Sequence, residues 1–268
     1  MSTPFARIKI TVAVLGVALT TTALHLRHTY RRVVNDSFVA GEYFEYRVHY
    51  GLLSAAEAKV NVSPIIQTVN GRPCYKIDVF GRTVGAFDWI TTIRDNWRSY
   101  VDTTAIVSQK FYVNIVENKY RKEETVVFDH PNNKVRSEET DEKLSFNTPD
   151  NVQDVISGYY YLRTLDYSKL EPGDLVSVPT FFDDVVFQTK IRFRGREVIK
   201  TKFGRINVIK LNPVIPENKL FKGENAIRIF ISDDTNHVPV RVEVDLWVGS
   251  MVMEMKKYSG LRSPFKWF

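Results

Sequence analysis

The residues of this sequence with the type for acid–base chemistry are two adjacent carboxylate pairs, Asp183-Asp184 and Asp233-Asp234, and five histidines. Neighbouring residues on a strand point to opposite faces, so neither pair readily converges on one substrate. Asp233-Asp234 lies in a turn-like stretch, where aspartate accepts backbone hydrogen bonds. His25, His28, His49, His130 and His237 fall at neither helical nor metal-ligand spacing. His130 and His237 stand in turn-like contexts, where solvent exposure is expected. Cys74 is the single cysteine, which excludes an intramolecular disulfide and any multi-cysteine metal site. It is expected to be a small, partly buried residue. There is no Gly-rich phosphate loop, Gly-x-Ser-x-Gly elbow or Ser-x-x-Lys pattern. The expectation is therefore no catalytic residue, no metal ligand and no cofactor. A hydrolase assembled from distant residues is the enzymatic alternative. It would need a cleft joining His130 or His237 to a carboxylate and a hydroxyl.

Apolar recognition is the chemistry the composition favours. Aromatic residues make up 13% of the 268 residues. Phe87, Trp89, Trp97, Phe111, Tyr159, Tyr160 and Tyr161 either fill a core or line a cavity. Phe87, Trp89 and Trp97 are the candidate groove residues. Gly85 and Ala86 keep the adjoining stretch small enough to form a rim.

The formal charge is +6, and removing Arg7 and Lys9 of the N-terminus leaves about +4. The densest basic stretch, Lys190 to Lys202, largely alternates its charges with Ile191, Phe193 and Gly195. That is the pattern of one solvated strand face rather than of a nucleic-acid surface. Residues 10–26 form an apolar run behind Arg7 and Lys9, the form of a secretory signal. Thr21 and Ala23 suit a cut after Ala23. Arg27, Arg31 and Arg32 follow at once, so an uncleaved anchor is the alternative, and membrane contact would then run through this segment alone. A lipoprotein signal is excluded, because Cys74 is too far downstream. The expected location is the periplasm or the periplasmic face of an inner membrane.

The elements that must position any site are mostly strands. Residues 1–26 are a signal or anchor, 27–40 a polar lead-in, 41–258 a single β-rich domain and 259–268 a tail. Phe44, Tyr46, Val48 and Tyr50 alternate with polar residues, Gly51 breaks that strand, and Ala56 to Val62 form the next stripe. Asn70-Gly71 is a hairpin turn. Trp89 to Val101 reads as one long strand, followed by Ile106 to Val116 and Thr125 to Phe128. His130-Pro131-Asn132-Asn133 reads as a turn into Lys134-Val135-Arg136. Further strands are expected near 174–182, 184–194, 196–203, 205–212, 225–232, 238–248 and 250–257. Val152, Val155, Ile156, Tyr159, Tyr160 and Leu162 fall at helical spacing, with Thr148 as N-cap and Pro149 at the first helical position. This predicts a mainly β fold, one large curled antiparallel sheet or open barrel, with one main helix over about 149–165.

The stretches Gly41 to Gly51, Leu52 to Ala58, Gly81 to Asp88, Val238 to Glu243 and Gly249-Ser250-Met251 resemble a bacterial envelope family known only as a domain of unknown function. The likeness runs from about residue 38 to 258. It implies an envelope location and assigns no functional residue. Asp233 to Arg241 also resembles a hairpin of half-barrel periplasmic lipoprotein carriers, which implies a lipid-binding groove. Three functions follow as expectations. The first is a non-enzymatic exported envelope protein that binds a lipid-like or other apolar ligand on a concave sheet face. The second is an interaction module for envelope assembly or maintenance, with a lipoprotein or another envelope protein as partner. The third is the hydrolase described above.

Overall fold

The computed structural model describes residues 30–139, 142–215, 223 and 225–268. The expected signal or anchor lies outside the described residues. Among the described residues, fifteen strands form one antiparallel sheet. They are β1 (Tyr43–Tyr50), β2 (Leu53–Val62), β3 (Gln67–Val69), β4 (Arg72–Thr83), β5 (Arg94–Asp102), β6 (Ser108–Glu117), β7 (Tyr120–Asp129) and β8 (Lys134–Glu139). The rest are β9 (Glu142–Asn147), β10 (Leu175–Phe182), β11 (Val185–Thr201), β12 (Gly204–Pro213), β13 (Ile227–Ser232), β14 (Pro239–Asp245) and β15 (Ser250–Ser259). Two α-helices accompany them, α1 (Ala86–Ile90) and α2 (Val155–Arg163).

The spatial order is β10-β11-β12-β13-β14-β15-β1-β2-β4-β5-β6-β7-β8-β9, with β3 paired to β4. Most neighbours are hairpins, as the turn chemistry dictates. Asn70 and Gly71 both take positive φ between β3 and β4, and so do Asp183 and Asp184 between β10 and β11. The long-range join is β15 to β1. It leaves β9 and β10, which are consecutive in the chain, as opposite edges of the sheet. The segment between them must bridge those edges, so the sheet rolls up. Phe146 of β9 meets Phe181 of β10 at 5.2 Å between ring centroids. Trp97 of β5 stacks on Phe182 at 5.6 Å. The roll is not closed: Gln153 lies along β10, donating to Pro179 O and accepting from Phe181 N.

The concave face carries the core. Val62, Ile77, Ser99, Phe111, Val126 and Ser137 stand directly opposite one another across six strands, and all are buried. Ser99 donates to Asp154 Oδ2 at 2.6 Å, which seats the start of α2 on this row. Asp154 is the N-cap, accepting from the Ile156 and Ser157 amides at 2.7 Å each, and Ser157 Oγ completes a capping box.

Several expectations are corrected here. The helix does not begin at Pro149 with Thr148 as cap. Asn151 adopts φ 55, which no helix accommodates, and the Gln153 backbone pairs with β10, so α2 starts only after Asp154. Trp89 does not open a strand; α1 covers Ala86–Ile90 and β5 begins at Arg94. The stretches 184–194 and 196–203 are one strand, β11, bulged beside Gly195. Asp183-Asp184 is a turn, not a strand pair. The lead-in is part of the fold: Phe38 is fully buried and Arg31 donates to the Ala105 and Ile106 carbonyls. The C-terminal tail is also docked. Phe268 exchanges two backbone hydrogen bonds with Arg205, and Trp267 stacks on Phe203.

Candidate ligand groove

A cavity of about 250 Å³ opens between α2 and the concave face. β1 supplies Phe44 and Tyr46, β2 Ala58 and Val60, β4 Val79, β14 Pro239 and β15 Met253. α2 supplies Val155, Ile156, Tyr159 and Tyr160. None of these residues is charged. Strand pairing explains why they converge. Phe44 stands opposite Val60 and Tyr46 opposite Ala58, while Val60 stands opposite Val79. Ala58 stands opposite Gly81 on β4, and these two small residues beside Tyr46 leave the space. On the helix, Val155, Ile156, Tyr159 and Tyr160 are the i, i+1, i+4, i+5 set that one helical face presents.

A buried ion pair lies behind Phe44 and Tyr160, outside the cavity lining. Arg163, 1% exposed, and Glu42, fully buried, form a bidentate pair at 2.7 and 2.9 Å. Arg163 Nε also donates to Asn236 O, and Nη2 to Ser37 O. Its guanidinium lies over the rings of Phe38, Phe44 and Tyr160 at 5.3, 5.9 and 5.1 Å. Burial pushes Glu42 above its ordinary value, and the Arg163 charge opposes that shift. Burial also raises the Tyr46, Tyr159 and Tyr160 hydroxyls, which sense one another and this ion pair. The three hydroxyls are therefore protonated donors. Tyr46 Oη donates to Pro239 O at 3.1 Å.

The three residues expected to line a groove are not brought together. Trp97 is half-buried in the core against Phe111 and Phe182. Phe87 meets Tyr50 edge-on at 5.9 Å. Trp89 is 94% exposed. None of them lines the cavity under α2. Tyr159 and Tyr160 do, together with Phe44 and Tyr46, and Arg163 lies against the Tyr160 ring. The helical spacing of Tyr159 and Tyr160 was the available signal; nothing local signals that Arg163 is buried.

The histidines are corrected as well. His130 is 3% exposed, with Nε2 at 2.7 Å from Ser108 O. His237 is half-buried, and Nδ1 donates to Arg163 O at 2.7 Å, leaving Nε2 as an acceptor. Burial lowers its pKa, which favours the neutral ring. A polar cleft of about 360 Å³ does join His237 to Asp233, Asp234, Ser168 and Ser263. Several of its groups are engaged elsewhere, although Asp234 Oδ2 has no hydrogen-bond partner among the described residues. Asp233 pairs with Arg196, Asp234 accepts from Ser232 Oγ and Asn236 N, and Ser168 Oγ donates to Asp166. No hydroxyl or carboxylate is hydrogen-bonded to the His237 ring among the described residues, so the nucleophile–base pair of a hydrolase is not formed. The Asp233-Asp234 turn chemistry is as expected. Cys74 is fully buried, and burial pushes its thiol up to about 12, the reverse of what a nucleophile needs. Groups of three or more His, Cys, Asp or Glu able to hold a metal are absent among the described residues.

A larger hollow of about 460 Å³ lies on the outer face of β2, β4 and β5. Its Glu57 and Arg82 pair with each other, and Arg94 pairs with Asp88. Lys59 and Asp95 add further charge around Phe80, so its lining is mainly charged, unlike that of the cavity under α2. No described helix is long and apolar enough to cross a membrane.

The family model of DUF3108, a protein of unknown function, matches residues 45–256, and the chain belongs to that family. No curated protein matches the chain. Among solved structures, a beta-barrel-like protein of the DUF1849 domain of unknown function from Brucella abortus is 11% identical with a TM-score of 0.52. It covers 83% of this chain and 98% of its own. That likeness shows a shared fold. A candidate exported protein with a YmcC-like fold from Bacteroides fragilis is 10% identical at TM-score 0.33, covering 85% and 100%. A candidate lipoprotein from Parabacteroides distasonis is 12% identical at TM-score 0.30, covering 85% and 99%.

Proposed function

We propose that this DUF3108 protein is an exported, non-enzymatic envelope protein that holds an apolar ligand between α2 and the concave face of its sheet. The observation that carries the reading is the cavity itself: about 250 Å³, bounded by apolar and tyrosine side chains and free of charge. Half-buried Ala58, Val79, Val155, Tyr159 and Met253 border it, so a ligand has a path in. The basic, apolar N-terminus supports export. N-phenyl-1-naphthylamine, an uncharged apolar fluorophore, tests the reading on delipidated protein. The parent should bind it saturably. Ala58→Phe fills the cavity and should weaken binding about tenfold or more without lowering Tm by more than a few degrees. A parent without saturable binding, or an Ala58→Phe protein that binds like the parent, would overturn it.

A second reading rests on a separate observation. Leu52, Leu53, Trp89, Ile90, Trp247 and Val248 are all exposed, on the β1–β2 turn, α1 and the β14–β15 turn at one end of the sheet. Tyr50 ties these segments together: its hydroxyl donates to Val248 O, and its ring meets Phe87. An apolar patch of this kind suits a partner protein in the envelope. Photo-crosslinking in cells from positions 89 and 247 should then give one discrete adduct that position 66, at the opposite end, does not give. Identical patterns from all three positions would remove this reading.

A further inference from the structure

Turn tips ordinarily carry Gly, Pro, Asn, Asp or Ser. At one end of this sheet the β1–β2 turn, α1 and the β14–β15 turn instead present large apolar side chains, among them Leu52, Trp89 and Trp247. The β6–β7 turn belongs to the same end. Asn118 accepts from the Thr92 amide and donates from Nδ2 to Thr91 Oγ1, which ties that turn to the segment after α1. It adds an exposed Tyr120 and carries Lys119 and Arg121 against one acid, Glu117. A row of cations stands behind these tips on the outer face. Arg47 of β1 lies opposite Glu57 of β2, and Glu57 lies opposite Arg82 of β4. Lys256 of β15 reaches the same carboxylate. Glu57 is thus shared by Arg47, Arg82 and Lys256 at 2.7, 2.9 and 3.5 Å, and three positive charges against one negative leave two in excess. The other nearby acids are held elsewhere: Glu254 by Arg241, Asp88 by Arg94 and Asp245 by Arg228. Tyr50 pairs with Leu53 at the tip, and Arg47 precedes Tyr50 along β1, which sets the cations about 10 Å behind the apolar tips.

From these two features together we infer that this end of the protein docks on a membrane surface that contains anionic lipid. The inference is independent of the groove under α2. Apolar groups at a membrane interface bury about 5–10 Å deep. Tips at that depth put Leu52, Leu53, Ile90 and Val248 at the acyl boundary, with the Trp89 and Trp247 rings at headgroup level. Arg47, Arg82 and Lys256, about 10 Å behind, then face the lipid phosphates. Two arguments favour lipid over a protein at this end. A protein would have to match side chains that project from separate segments, whereas a fluid surface takes them without shape complementarity. An apolar protein contact also has no need of excess positive charge behind it, while an anionic lipid surface attracts that charge.

The test reads where chosen positions sit. Cys74 is fully buried, so Trp89→Cys, Trp247→Cys and Ile66→Cys each take an environment-sensitive fluorophore at one exposed site. The full protein, carried in phosphatidylcholine nanodiscs, is mixed with vesicles that hold a nitroxide-labelled lipid, with or without phosphatidylglycerol. With phosphatidylglycerol, the labels at 89 and 247 should shift to shorter wavelength and be quenched. The label at 66, at the opposite end, should do neither. Salt at about 1 M, where the Debye length is about 3 Å, should weaken the association. Arg82→Gln combined with Lys256→Gln should weaken it about tenfold or more and leave Tm within a few degrees of the parent. Labels at 89 and 247 that stay in water overturn the inference, and a discrete protein adduct from the same positions in cells would then give this end to a protein partner. Equal quenching at all three positions, or equal quenching without phosphatidylglycerol, overturns it as well.

Discussion

Arg163 joins parts of the chain that have little else in common. It holds Glu42 from 121 residues away and Asn236 from 73 residues away, and its own carbonyl accepts from Ser37 Oγ and His237. Arg163→Met leaves the Glu42 carboxylate buried without its counter-charge and should cost about 3–5 kcal/mol, read by urea unfolding. A loss under about 1 kcal/mol would show that the pair is not closed in solution. Sequence spacing did not reveal it, because a basic residue in the last turn of a helix is ordinary and Glu42 stands just before the first alternating stripe, where a charged residue draws no notice. A second prediction at this scale concerns pH. On the outer face, hydrogen bonds from Arg82 and Arg47 hold Glu57 down to about 2, from an ordinary value of 4.5, with Lys256 nearby. A depressed folded value means that its contribution is present above pH 4.5 and is lost as pH falls toward 2. Glu57→Gln should therefore destabilise by up to about 1 kcal/mol at pH 7, and parent and variant should converge near pH 2. A gap that stays constant across that range would contradict the assignment.

At the scale of elements, the two tryptophans first placed in one groove give opposite expectations. Trp89 lies on α1, 94% exposed, and Trp89→Ala should change stability by less than about 0.5 kcal/mol. Trp97 is packed between Phe111 and Phe182, and Trp97→Ala should cost about 3–5 kcal/mol. Chemical denaturation of both variants checks this, and equal losses would mean that α1 is misplaced. The sequence showed alternation from Trp89 onward, which reads as strand. What it hides is bracing from outside the segment. Asp88 accepts from Thr83 Oγ1 and pairs with both terminal nitrogens of Arg94, and Gly85 takes φ 60 as the N-cap. Those contacts pin a single helical turn between the end of β4 and the start of β5. α2 was legible because its helical spacing is repeated over several residues. Its start was not, since Asn151 and Gln153 are committed to contacts with distant strands. β3 is only three residues long and β9 follows a stretch of charges, so neither stood out.

For the whole molecule, composition and period-two alternation were enough for a curled antiparallel sheet with one main helix, and the turns gave most of the hairpins. The roll itself was not readable. It follows from β15 closing on β1, a pairing across about 200 residues, which turns β9 and β10 into opposite edges that the connection over residues 148–174 must bridge. That bridge carries α2 onto the concave face, and the small side chain of Ala58 beneath it leaves the space. The cavity is thus a product of topology, and no local motif announces it. The most direct measurement is native mass spectrometry of the full protein purified from its own envelope in mild detergent, parent beside Ala58→Phe. The parent should carry a stoichiometric added mass that denaturation releases and that Ala58→Phe lacks. A parent at its bare polypeptide mass, or an adduct that Ala58→Phe retains, would contradict a ligand held between α2 and the sheet.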